Sequence, residues 1–294
     1  MRVLIAGREG QVARALVRRL EGHEVTALEP PELDLTDDAS VGAAMAAARP
    51  DLVINAAAYT AVDKAEDQEA LAFAVNCAGA ARLASAAAAR GAPFVHFSTD
   101  YVFDGRKGAP YVEADTPSPL GVYGRSKEEG ERAVQAANPR SVVLRTAWVC
   151  SPDGANFVKT MLRLASERDE LRVVADQRGA PTFAADLADA VARMAPRLLQ
   201  AAAGDPAFGV FHLTGTPHTT WHGFAEAIVA QAAQRGHRRP GVTAITTADF
   251  PTRAMRPPDG RLDCSRIGAV HGIVPADWRQ SLASCLDTLV GPAS

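Results

Sequence analysis

The order of apolar and polar positions divides this chain into short buried runs separated by amphipathic stretches. Arg2-Val3-Leu4-Ile5-Ala6 predicts a strand, and after Gly7 the apolar positions Val12, Ala13, Leu16, Val17 and Leu20 recur at helical spacing. Gly22-His23 ends that helix, and Glu24 to Leu28 predicts a second strand stopped by Pro30-Pro31. Asp34-Leu35-Thr36-Asp37 opens a loop into a further helix that closes before Pro50, and Asp51 to Ala57 predicts the next strand. One long helix ending near Gly91 follows, then the apolar run Pro93 to Phe97. Val142 to Arg145, Leu171 to Val174 and Val210 to Leu213 continue the series, each with a helical stretch nearby. Strands alternating with helices at this spacing predict parallel βαβ units. From about Gly236 the alternation fails among Pro240, Pro251, Pro257 and Pro258, and a last helix spans Trp278 to Leu289. The expected plan is a dinucleotide-binding domain over residues 1–150, with segments near 170–175 and 209–235 returning to it. Residues 151–294 then form mainly a smaller, interleaved substrate-binding cap.

Composition narrows the classes of partner. Apolar residues make up 47% and charged residues 22%, ordinary for a globular protein. A net charge of −3 offers no chain-wide basic field for nucleic acid. No apolar run is expected to reach the ~20 residues of a membrane span. Met1 leads straight into a strand with no room for a signal peptide, so a cytoplasmic location is expected. Cys77, Cys150, Cys264 and Cys285 are scattered, with neither disulfide nor zinc spacing, and are expected as reduced thiols.

Chemistry concentrates at the ends of the strands. Gly7-x-x-Gly10 lies between the first strand and helix, where glycine lets backbone amides approach a pyrophosphate; Ala13 replaces a third glycine. Glu29 closes the second strand, where a carboxylate can accept from ribose hydroxyls and favour NADH, while Arg8 in the turn can pair with a 2′-phosphate and favour NADPH. The two cues conflict. Asn55 to Thr60 leaves a strand with small residues, suited either to a flat ring or to tight packing. Ser98, Thr99 and Asp100 are delivered to the carboxyl end of their strand, and Tyr123 and Lys127 stand four apart on a predicted helix, so both face one way. Hydroxyl, phenol and ammonium together form a proton-delivery site; as an isolated pair the last two would be a surface tyrosine under a lysine stem. His218 and His222 have metal-like spacing but no third ligand, and Thr219 or Thr220 reads as a helix cap. Arg253, Arg256 and Arg261 suit either a diphosphate or solvent.

Taken in order, these pieces resemble the extended short-chain dehydrogenase/reductases, and within them the dTDP-4-dehydrorhamnose reductases. The resemblance runs through Asn55 to Glu66 (NAAAYTAVDKAE), Ser98 to Gly105 (STDYVFDG), Pro119 to Lys127 (PLGVYGRSK), Arg145 to Val149, Asn156 to Leu162, Asp176 to Thr182, Thr220-Trp221 and Pro251 to Pro257. It implies a Rossmann-type doubly wound α/β fold and reduction of a 4-keto-6-deoxysugar linked to a nucleotide, with dTDP-4-dehydro-L-rhamnose as the expected substrate. It implies NADPH or NADH as coenzyme, NADPH slightly favoured. Magnesium is linked to some members, with no ligand to carry over, and a homodimer is compatible. By the same resemblance Thr99, Tyr123 and Lys127 are the active-site trio, and Thr99, Asp100 and Trp148 contact the sugar nucleotide. Gly10, Gln11, Val12, Glu29, Asp34, Leu35, Ala58, Tyr59, Thr60, Tyr123 and Lys127 contact the dinucleotide, beside Gly7 of the turn. From the residues alone Trp148 is equally a core aromatic. The chain departs from the family pattern at Glu9, Ala13 and Cys150. Three other functions remain compatible: an epimerase, another sugar-nucleotide ketoreductase, and a non-catalytic binder resembling the regulatory subunit of methionine adenosyltransferase.

Overall fold

A computed structural model describes residues 1–293. In chain order its main elements are β1 (Arg2–Ala6), α1 (Gln11–Arg19), β2 (Glu24–Leu28), α2 (Asp38–Ala48), β3 (Leu52–Asn55), α3 (Val62–Ala65), α4 (Glu69–Phe73), a π-helical segment (Ala74–Gly79), α5 (Ala80–Ala89) and β4 (Phe94–Thr99). Then come α6 (Val122–Ala137), β5 (Ser141–Thr146), β6 (Val149–Cys150), α7 (Phe157–Glu167), β7 (Glu170–Val174), β8 (Arg178–Gly179), β9 (Thr182–Phe183) and α8 (Ala184–Gln200). The chain ends with β10 (Gly209–His212), β11 (Thr219–Thr220), α9 (Trp221–Ala233), β12 (Gly241–Ile245), α10 (Ser265–His271) and α11 (Trp278–Val290).

Six parallel strands form the central sheet in the order β10-β5-β4-β3-β1-β2. Helices cover both faces, which is why the strands read as continuous apolar runs rather than alternating ones. Val3 and Ile5 point to the face packed by α1 and α8, with Leu16, Leu187, Val191 and Met194. Leu4 and Ala6 point to the other, with Met45, Leu83, Ala84 and Val134. The chain steps from β1 outward to β2 and then back to β3 on the opposite side of β1. That reversal opens a crevice at the carboxyl ends of the strands, where such sheets take ligands.

A second core lies beyond the sheet, where α7, α9 and α11 enclose Met161, Phe224, Ile228, Trp278 and Leu282. The strand Glu170–Val174 belongs here. It pairs in parallel with Gly241–Ile245 and not with the central sheet, contrary to the expected return of segment 170–175. Likewise α9 packs in this second core, so only β10 of segment 209–235 rejoins the sheet. The stretch after Gly236 is more ordered than its prolines predict, containing β12 and α10.

The expected single helix before Gly91 is broken at Asp67-Gln68, and its longer part, Glu69–Ala89, contains the π-helical turn. By length and composition this helix is apolar enough to cross a membrane. That corrects the expectation that no run approaches such a span. Ala80, Leu83, Ala84 and Ala87 are wholly buried against the sheet, the place of a core helix. Two glycines let α6 lie directly on its neighbours. A Cβ on Gly124 would collide with the Tyr101 carbonyl oxygen, and one on Gly130 with the Asn76 carbonyl oxygen in the π turn. Gly130→Ala should therefore lower unfolding free energy by about 1–3 kcal/mol, the usual effect of overpacking, measured by denaturant titration. Unchanged stability would mean that α6 and the π turn are free to separate.

Candidate active site

Between the crevice and the second core runs one cleft of about 880 Å³. At one end is the turn after β1. Gly7 has φ +103 and its missing Cβ leaves room against the Ala56 backbone, while a Cβ on Gly10 would meet nothing within 4 Å. The amides that begin α1 thus face open cleft, the setting for a pyrophosphate. Ala13, fully buried, takes the third glycine's place against the sheet. Gln11 and Val12 line the cleft. Gln11 also bridges to the far wall, since its Oε1 accepts from Ser151 Oγ at 3.1 Å and Asn156 Nδ2 at 2.9 Å.

Glu29 reaches the same cleft from β2. Its Oε2 accepts from the Arg8 and Glu9 amides at 3.2 and 3.1 Å, so the carboxylate braces the glycine turn. Arg8 is held by the Ala27 carbonyl and Glu32. Asp34 and Leu35 line the cleft beyond, Asp34 carrying Thr36 on its carboxylate, which together with the Thr36 amide holds it below the usual range. Ala58 and Thr60 line it from the loop after β3. Tyr59 is the one predicted site residue not on the cleft wall: its phenol donates to Gln68. Its backbone is gripped by Asn76, whose Oδ1 accepts the Tyr59 amide at 2.8 Å and whose Nδ2 donates to the Tyr59 carbonyl at 3.0 Å. The π turn aims Asn76 at this loop. No sequence signal singled out Asn76.

Thr99, Asp100, Tyr123, Lys127 and Trp148 all face this cleft. Thr99 Oγ1 accepts from the Tyr101 amide and donates to Asp100 Oδ1. Burial pushes the Asp100 carboxyl up to about 7, against the pull of that Thr99 bond. Desolvation pushes the Tyr123 phenol up to about 12, with a hydrogen bond from Thr99 pulling the other way. Lys127, buried one helical turn on, is brought down to about 8 by burial, partly offset by Glu131. Tyr101, which the motif contained without a role, stands edge-on to Tyr123 at 5.6 Å and also lines the cleft.

Trp148 forms the wall on the cap side. With φ +48 it turns its ring onto Trp221, centroids 3.7 Å apart and 15° from parallel. The three C-terminal arginines are paired within the chain: Arg256 with Asp63, Arg253 with Asp67 and Arg261 with Asp259. Those carboxylates occupy the guanidinium groups that a diphosphate would need. His222 bonds the Val242 carbonyl, His218 that of Leu262, and Thr220 caps α9 through the Gly223 amide. Among the described residues no three His, Cys, Asp or Glu side chains gather to hold a metal.

Residues 1–290 match the family model described as the RmlD substrate binding domain. A dTDP-4-dehydrorhamnose reductase of Sinorhizobium fredii is 45% identical, over 96% of this chain and 95% of its own. This chain belongs to the dTDP-4-dehydrorhamnose reductase family. Two solved reductases of the family have the same fold throughout. That of Clostridium acetobutylicum superposes with a TM-score of 0.92 at 38% identity, covering 98% of this chain and 99% of its own. That of Bacillus anthracis, in complex with NADP, gives 0.88 at 33% identity, covering 97% and 98%. The chain is accordingly a Rossmann-type, nicotinamide-dependent oxidoreductase, and the glycine turn and crevice of this reductase fit such a coenzyme.

Proposed function

We propose that this reductase converts the 4-keto group of dTDP-4-dehydro-L-rhamnose to the alcohol of dTDP-L-rhamnose, with NADPH favoured over NADH. The observation that carries the reading is that Thr99, Tyr123 and Lys127 share one cleft with the Gly7–Gly10 turn. Bound reduced coenzyme supplies the hydride. Gly7, Gly10, Gln11 and Val12 would hold its pyrophosphate end, and Arg8, resting on the Ala27 carbonyl, would have to exchange Glu32 for a 2′-phosphate to favour NADPH.

The remaining chemistry belongs to the chain. As negative charge grows on the ketone oxygen, Tyr123 gives it a proton; with its proton affinity pushed up to about 12, the phenol is fully protonated beforehand. Lys127 supplies the positive charge that makes the resulting phenolate tolerable. Thr99, whose oxygen is held by the Tyr101 amide, orients the ketone by turning its one hydroxyl proton from Asp100 to the ketone oxygen when the sugar binds.

Mixing the protein with dTDP-4-dehydro-L-rhamnose and each coenzyme separately tests the proposal through loss of coenzyme absorbance. One coenzyme should be oxidised per sugar, faster with NADPH. Sugar turnover without net coenzyme oxidation, as in epimerisation, or coenzyme binding without turnover, would refute it. The Trp148 wall gives a second check. Trp148→Ala should raise KM for the sugar nucleotide about 10-fold, the equivalent of one lost aromatic face, while coenzyme affinity stays within a factor of about two. Equal loss of both affinities would place the ring in the core rather than against the sugar.

A further inference from the structure

Beneath the cleft, three polar side chains sit where the sheet and α6 would otherwise meet through apolar ones. Asn55 at the end of β3 and His96 on β4 stand side by side in register, and Lys127 reaches them from α6. None is more than 2% exposed. Asn55 Nδ2 lies 3.1 Å from His96 Nδ1, and His96 Nε2 lies 3.3 Å from Lys127 Nζ. Lys127 Nζ also donates to the Phe97 carbonyl at 2.7 Å.

Counting donors fixes more than the distances do. Asn55 Oδ1 accepts the Ala57 amide at 3.1 Å, so the NH₂ end of its side chain faces the imidazole. His96 Nδ1 is then an acceptor. A neutral imidazole carries one proton, which must sit on Nε2, pointing at the lysine. Lys127 Nζ can accept that proton's hydrogen bond only as a free amine. His212 has the opposite order: its Nδ1–H donates to the Tyr111 carbonyl, and its bare Nε2 faces the Arg145 guanidinium 3.4 Å away. There a cation meets an acceptor. At His96 it meets a donor.

We propose that Asn55 and His96 are a positioning pair for Lys127: Asn55 selects the His96 tautomer whose Nε2–H faces Nζ, and that N–H satisfies the lysine in its uncharged form. The inference rests on the reading of Tyr123 and Lys127 given above. After Tyr123 has given its proton to the ketone, the phenolate must recover one. Lys127 as ammonium passes a proton to it, directly or through a water, and becomes the free amine that His96 is arranged to meet. Water then recharges the lysine, so each turnover consumes one solvent proton and the coenzyme's hydride. Keeping the ammonium state requires either the Asn55 amide to turn over, losing the Ala57 bond, or the His96 contact to open.

Other groups around Nζ set the same balance. Glu131, a turn further along α6 and paired with Arg145 from β5, favours the ammonium, while burial opposes it more strongly. Tyr123 on the same helix, with Asp100 and Tyr101 just beyond β4, are the other ionisable groups lining this part of the cleft. His96 stays neutral throughout, its proton affinity pushed well down by burial and then by Lys127.

The test is the nitrogen-15 spectrum of histidine-labelled, coenzyme-free protein at about pH 9, where the two ring nitrogens report which carries the proton. His96→Gln assigns the signal among the seven histidines. In the wild-type protein the proton is expected on Nε2. In Asn55→Asp, whose carboxylate can accept from Nδ1, it should move to Nδ1, and the alkaline limb of kcat/KM should rise by about one pH unit or more. A wild-type proton on Nδ1 overturns the proposal. So does a shifted limb with the proton still on Nε2, which would assign the effect to added charge alone, and so does a reversed tautomer with an unmoved limb. The wild-type tautomer is read without turnover, so it separates this inference from the assignment of Tyr123.

Discussion

Tyr123→Phe should lower kcat for the keto sugar by about 10²–10⁴-fold, the usual share of a positioned general acid, while the protein stays folded and keeps its coenzyme. The substitution removes one oxygen and leaves the ring, which packs edge-on against Tyr101, in place. No other phenol of the cleft can substitute: Tyr101 is held more firmly protonated still, by burial and by Asp100. Asp100, near 7, is the one competing acid, and it is already engaged with Thr99. Steady-state rates with NADPH, coenzyme affinity by fluorescence and a thermal melt together decide the matter. If turnover falls less than about tenfold, Asp100 or water delivers the proton and the acid assignment fails. Lys127 adds a pH signature. Its ammonium is present below about 8 and lost above it, so activity should decline as pH rises through that value. The same shift acts on stability in the opposite sense. Between about 8 and the ordinary 10.5 the unfolded chain binds more protons than the folded one, so this group's burden on the fold is felt below that window and relieved as pH rises through it.

The sequence made the central strands legible because both their faces are covered, leaving unbroken apolar runs such as Leu52 to Ile54. It did not make strand partners legible. Leu171 to Val174 reads as a strand wherever it pairs, and its partner β12, Gly-Val-Thr-Ala-Ile after Pro240, is half exposed and carries little pattern. The π turn is equally silent, since Ala74 to Gly79 is composed like any stretch of helix. At the site, the cleft-facing side chains assigned to the chemistry were named from motif and resemblance, whereas Tyr101 and Trp221, which also line the cleft, were given no role. Those that act through backbone or through other side chains were not named: Asn76 holds the loop of Tyr59, and His96 is hidden inside an apolar run. A polar residue interrupting an apolar strand is a signal that could have found His96, whereas Asn76, in a helical stretch, carries none.

Glu131→Ala should be the most destabilising substitution outside the cleft, by about 3–5 kcal/mol in denaturant titration. Tyr123, Lys127 and Glu131 follow one another at successive turns on the inward face of α6. Glu131 takes Arg145 in a two-pronged grip, Nη2 at 2.6 Å and Nε at 3.0 Å, and also accepts from Ser98 Oγ. Both members are almost completely buried, and the guanidinium lies over the Phe103 ring, 5.0 Å from its centroid. Removing the carboxylate strands a buried cation, which costs far more than the pair itself contributes. The double variant Glu131→Leu/Arg145→Met removes both charges and should regain most of the lost stability. What it does not regain is the tie between α6 and the strands that carry Ser98 and Arg145, nor the negative charge that favours the Lys127 ammonium. Its alkaline limb should therefore lie below that of the wild-type protein even though it is folded. A double variant as unstable as Glu131→Ala would show that the network's shape, and not its uncompensated charge, holds α6 against the sheet.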